Sequence, residues 1–168
     1  MIIRLLTVLA FLCLASAAQA QNNWSAPASA CVPADDAAGR YESDIAFVRH
    51  LGTNVDPIAL TCQMDRFNSG TSAYNLKITY RDSTGTATSA SVLARLYRMA
   101  IGTATPIQIT EVNSNSSAVT GTNTVASPEF NHTFDFEANT YWVRVVIKRA
   151  NSSQTVILYS LVLDGTAF

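Results

Sequence analysis

The stretch "YWVRVVIKR", residues 141 to 149, puts Tyr141, Val143, Val145 and Ile147 on one parity and Trp142, Arg144, Val146 and Lys148 on the other. Successive side chains of an extended backbone leave on opposite sides, so a period of two marks a strand with one face in a core. The same alternation recurs along the chain, and a 3.6-residue period does not. Eight strands are expected, over residues 40–50, 58–64, 74–81, 91–99, 106–112, 128–136, 141–149 and 155–163. The inward sets are Ile45 and Phe47, then Ile58, Leu60, Cys62 and Met64, then Leu76, Ile78 and Tyr80, then Ile107 and Ile109. Two sets remain open for residues 91–99: Val92, Ala94 and Leu96 inside, or Leu93, Arg95, Tyr97 and Met99. Residues 155–163 are apolar on both parities, which suits a central strand. "DSTGTATS", residues 82–89, reads as a hairpin loop. Residues 113–127 read as a polar loop, long for a compact domain. Short strands separated by polar turns define an all-β fold, an antiparallel two-sheet sandwich of jelly-roll type.

The first twenty residues stand apart. "MIIRLLTVLAFLCLASAAQA" has Arg4, an apolar run from Leu5 to Leu14, and the small-residue pattern Ala18-Gln19-Ala20. That is the form of a cleaved signal peptide, and the run is shorter than the roughly 20 apolar residues that span a bilayer. Export to a secreted or periplasmic location follows. Residues 21–39, rich in Ala, Ser, Asn and Pro, read as an extended N-terminal arm, and residues 40–168 as one sandwich domain. With Cys13 gone in the leader, Cys31 and Cys62 remain. In an oxidising compartment they are expected to form a disulfide. Only 14% of residues are charged, against about 25% in an average soluble domain. Eleven basic side chains face twelve acidic ones, so nothing in the balance draws nucleic acid.

The segment "FDFEANTYWVRVVIKR" resembles the last hairpin of bacterial jelly-roll modules, where an aromatic strand, a tight turn and a Tyr-aromatic-Val-x-Val strand recur. Those modules often place a glycine in the turn; this chain has Ala138-Asn139. "SACVPADDAAGRY" and the second cysteine in "IALTCQM" resemble small secreted bacterial β-sandwich proteins without an assigned activity. The resemblance implies a sandwich and brings no catalytic residue with it.

Few residues invite chemistry. Phe130, His132, Phe134 and Phe136 share parity, so His132 is expected at the margin of the core, bonded to a backbone carbonyl. A general base there would need a nucleophile or carboxylate within reach. His50 reads as a solvated loop residue. Trp142, Arg144 and Lys148 lie on the polar side of their strand, where a flat indole beside a forked donor can stack on a sugar and bond its hydroxyls or carboxylate. The alternative is a covered indole stacked on Arg144. Basic residues concentrate in strands and acids in turns, which could build one positive sheet face for an anionic polysaccharide. No cofactor or metal is expected. Asp35-Asp36, or Asp56 with Asp65, are the carboxylate pairs that could gather a calcium with backbone carbonyls, and no EF-hand, Gly-x-Ser-x-Gly, His-Glu-x-x-His or phosphate-loop pattern occurs. The leading functional expectation is a non-catalytic binding or surface-associated module, with carbohydrate as the candidate partner. An assembly subunit donating its arm to a neighbour, and a small hydrolase using His132 or His50, are the alternatives.

Overall fold

The computed structural model describes residues 23–65 and 72–166. The expected leader, residues 1–20, lies outside them. Twelve strands are described: β1 (Trp24–Pro27), β2 (Val32–Pro33), β3 (Tyr41–Asp44), β4 (Phe47–His50), β5 (Ile58–Gln63), β6 (Ser72–Asp82), β7 (Ala90–Ala100), β8 (Ile107–Asn113), β9 (Gly121–Ala126), β10 (Phe130–His132), β11 (Asn139–Arg149) and β12 (Val156–Thr166). All pairings are antiparallel. A seven-stranded sheet runs β10-β6-β12-β4-β3, with β1 also on β12 and β9 also on β6; a five-stranded sheet runs β2-β5-β11-β7-β8.

Eight segments carry the roll. Strands β4, β12, β6 and the collinear pair β9 and β10 face β5, β11, β7 and β8, and apart from the β7–β8 hairpin each link crosses between the sheets. This is a jelly roll. β9 and β10 pair successive parts of β6, Lys77 with Ala126 and Tyr74 with Phe130. At the kink between them the Ser127 hydroxyl accepts the Leu76 N–H at 3.0 Å.

The interior is where the alternation puts it. Tyr74, Leu76, Ile78 and Tyr80 from β6 and Leu158, Leu161 and Leu163 from β12 meet Ile58, Leu60 and Cys62, Val92, Ala94 and Leu96, and Tyr141, Val143, Val145 and Ile147. Val92, Ala94 and Leu96 are therefore the inward set of β7. A register shift between Leu158 and Ser160 keeps β12 in phase across its centre. Ile157, on its outer face, is also buried. The Cys31–Cys62 disulfide is formed on the core side.

Several expectations are corrected. Residues 40–50 are a hairpin, β3 to β4, turning at Ile45-Ala46, and Ile45 is 88% exposed at its tip. Residues 82–89 join the two sheets and are not a hairpin loop. Inside the expected loop 113–127 lies β9, whose polar residues pair β6 along its edge. The strand expected over 128–136 ends at His132, and β10 and β11 belong to different sheets, so they form no hairpin. On β8 a register shift between Leu96 and Tyr97 of β7 breaks the alternation: Val112 is buried, Ile109 packs on the core and Ile107 is half exposed. Most of the segment read as an extended arm is built into the body. β1 pairs β12, Trp24 is buried, and β2 pairs β5.

Candidate binding face

The outer face of the five-stranded sheet is laid out in rows fixed by strand register. In one row Gln63, Trp142, Tyr97 and Gln108 stand abreast on β5, β11, β7 and β8. The next row holds Thr61, Arg144, Arg95 and Glu111, and the third Ala59, Val146, Leu93 and Asn113. Lys148 then stands opposite Ser91. Trp142, Arg144 and Lys148 thus lie on one strand and one face. Their partner Tyr97 is missed by sequence reasoning alone, because only the β7–β11 register sets it against the indole.

The indole and phenol rings stack with centroids 5.7 Å apart and planes within 17°. Both residues are half-buried, so each keeps surface that its neighbour does not cover. Among the described residues the ring stacked against Trp142 is Tyr97, and no cation–π contact with Arg144 is found. Arg95 donates through Nε to Glu111 Oε2 at 3.0 Å. That bond is the main reason its guanidinium holds its proton more firmly than an ordinary arginine. Arg144 and Lys148 are exposed, and neither has an ion-pair partner among the described residues.

The strand cations do not gather on one face, as the sequence suggested they could. On the outer face of the seven-stranded sheet Arg49 pairs Glu42 at 2.6 Å and Lys77 pairs Asp164, with Arg81 beside them. The five-stranded sheet carries Arg95, Arg144 and Lys148.

The two histidines sit in settings their own environments explain. His132 closes an aromatic end of the core with Phe134 at 4.7 Å and Tyr141 at 5.7 Å between ring centroids. Its Nε2 is 3.3 Å from the Tyr141 hydroxyl, not a backbone carbonyl, and that hydroxyl also accepts the Asp135 N–H at 3.1 Å. Burial, and then Arg98, hold His132 below its ordinary pKa. His50 is buried rather than solvated, because β4 carries it under the 51–56 loop, and its Nε2 lies 3.1 Å from the Asp56 carbonyl. Burial, and then Arg149, lower its pKa. Its Nδ1 has no hydrogen-bond partner among the described residues. His50 borders a polar cleft of about 370 Å³ with Glu42, Arg49, Arg149 and Gln154. Arg149 there gives its donors to the carbonyls of Gly52, Asn54, Ser152 and Gln154, clamping two loops together.

At the end of β6 away from His132, the buried Asp82 carboxylate accepts from Thr84 N–H and Oγ1, both at 2.8 Å, and from Ser114 Oγ at 3.0 Å. Ser114 Oγ in turn accepts the Val92 N–H. This network ties the 83–89 crossover to the turn after β8. Asp36 and Asp56 both face Arg40, at 3.8 and 3.7 Å. No cluster of three His, Cys, Asp or Glu side chains able to hold a metal occurs among the described residues. Among them no helix is long and apolar enough to cross a membrane.

Fold and bridge define the class: a disulfide-pinned jelly-roll β-sandwich. No protein-family model matches the chain, and no curated protein matches it in sequence. Solved structures of similar architecture include a family two carbohydrate esterase from Cellvibrio japonicus, 16% identical with a TM-score of 0.43, over 86% of this chain. The chain spans only 34% of that esterase's length. The CBM36-1 domain of a multidomain xylanase from the hindgut metagenome of Trinervitermes trinervoides is 11% identical, with a TM-score of 0.46 over 88% of this chain and all of its own. The xylan-binding module CBM15 is 15% identical, with a TM-score of 0.45 over 86% of this chain and 97% of its own.

Proposed function

We propose that the protein is an exported, non-catalytic module that binds carbohydrate on the outer face of its five-stranded sheet. The observation that carries this is the half-exposed Trp142–Tyr97 pair set one row from Arg144, whose guanidinium has no ion-pair partner among the described residues. The C–H faces of a sugar are apolar and its rim is polar. An aromatic surface with a planar donor beside it meets both needs. Each histidine is engaged by a burying contact of the fold, which favours binding over hydrolysis. β1 already pairs its own β12, so the assembly reading has no free donor strand there.

Affinity electrophoresis through gels containing soluble glycans tests the reading. Binding glycans should retard the native protein, and Trp142→Ala and Tyr97→Ala should each abolish the retardation. Because Trp24 is buried, ligand-induced changes in tryptophan emission should come from Trp142 and vanish with it. Retardation that survives both substitutions would overturn the assignment to this face.

A further inference from the structure

We propose that the ligand is an acidic polysaccharide, a polymer of uronic acids whose carboxylates are read by Arg144 and Lys148 along β11. The inference rests on the outer face being the glycan-binding face, and adds the charge of what it binds. Register sets Arg144 directly opposite Arg95. Two like charges in such a pair destabilise a sheet. Glu111 takes up one of them, bonding Arg95 from the far side of the row. Among the described residues the other has no carboxylate partner, and neither does Lys148.

The spacing suits a chain polymer. Side chains on one face of a strand recur every two residues, about 7 Å, so Trp142 and Arg144 are neighbours and Lys148 lies roughly 13 Å beyond Arg144. Between the two cations the Val146–Leu93 row offers an apolar step. A saccharide lying along β11 would stack one ring on Trp142, place a carboxylate at Arg144, pass over Val146 and place another at Lys148. A guanidinium fork matches the two oxygens of a carboxylate, and the ammonium acts as a point charge.

The test uses the full exported protein, polygalacturonate, the same polymer fully methyl-esterified, a neutral xylan and dextran sulfate. The expected result is binding to polygalacturonate that falls about tenfold or more on esterification, since hydrogen bonds to charged groups are worth roughly 1.5–3 kcal/mol. Arg144→Ala should lose a similar factor and flatten the salt dependence. Arg81→Ala, on the other sheet, should lose nothing. Thermal melts of each variant check that the fold is kept. Equal binding of free and esterified polymer, or binding to xylan alone, would overturn the acidic ligand while leaving the glycan face standing. Equal loss in Arg81→Ala, or dextran sulfate binding as tightly as polygalacturonate, would reduce the effect to general charge and also overturn it. Binding to none of the four would overturn this inference, and failure of every glycan in the broader gel panel would overturn the glycan face itself.

Discussion

Replacing both bridge cysteines with alanine should separate the contribution of the disulfide from that of the segment it pins. The bridge spans 31 residues. Closing a loop of that size removes about 12 cal/mol/K from the unfolded ensemble, or about 3.7 kcal/mol at 25 °C. The same link holds the N-terminal segment against β5 while β1 pairs β12 and Trp24 enters the core. Urea unfolding, followed in parallel by far-UV circular dichroism and tryptophan emission, reads both consequences. The midpoint should drop by roughly 1 to 4 M at ordinary slopes. If the segment detaches before the roll opens, emission from Trp24 shifts to the red at lower urea than the dichroism changes. A loss below about 1 kcal/mol, with the two probes coincident, would refute the entropic argument. It would mean that strand pairing and Trp24 burial hold the segment without the bridge.

Stability should fall as the solution is acidified below the ordinary histidine value of 6.5. The folded chain holds both imidazoles lower than that, so the unfolded chain binds more protons there. The contribution is complete above about pH 6.5 and is lost as pH drops through the folded values; His50→Gln should flatten the curve measured between pH 7.5 and 5.5. Tyr141→Phe should cost about 1–3 kcal/mol, because the Asp135 N–H loses its acceptor, and amide exchange at Asp135 should quicken by the same measure.

What could be read from the chain depended on whether a strand's partner was written in the strand itself. β11 was legible because four apolar side chains alternate with four outward ones over an unbroken register. β9 was not, because Gly121–Ala126 is an edge strand whose Thr and Asn residues carry no apolar period; its pairing is supplied by β6. The β3–β4 turn was hidden because Ile45-Ala46 lacks the glycine or asparagine that usually marks a two-residue turn, and an exposed isoleucine imitates a core position. On β8 Ile107 stands opposite Arg98, on the core side of the sheet, but at the first position of the strand, so parity indicates its face and not its exposure. The candidate face was half legible. Trp142, Arg144 and Lys148 follow from parity within one strand, whereas Tyr97 and Glu111 join them only through pairing across strands distant in sequence.

The outward residues of a sandwich strand are the ones its core does not choose, so any that burden stability call for another cause. The Trp142–Tyr97 pair alone does not, since cross-strand aromatic pairs strengthen a sheet by roughly 0.2–1 kcal/mol. His132 and His50 do not either, because burial and a bonded neighbour account for their positions. Arg144 opposite Arg95 is different. A threonine or glutamate at 144 would serve the sheet better, removing a repulsion that Glu111 relieves on one side only. A cation set where folding gains nothing from it, one row from half-buried aromatic side chains, is the feature on which the proposed glycan site is built. For that reason the functional reading rests on this face rather than on the cleft beside His50.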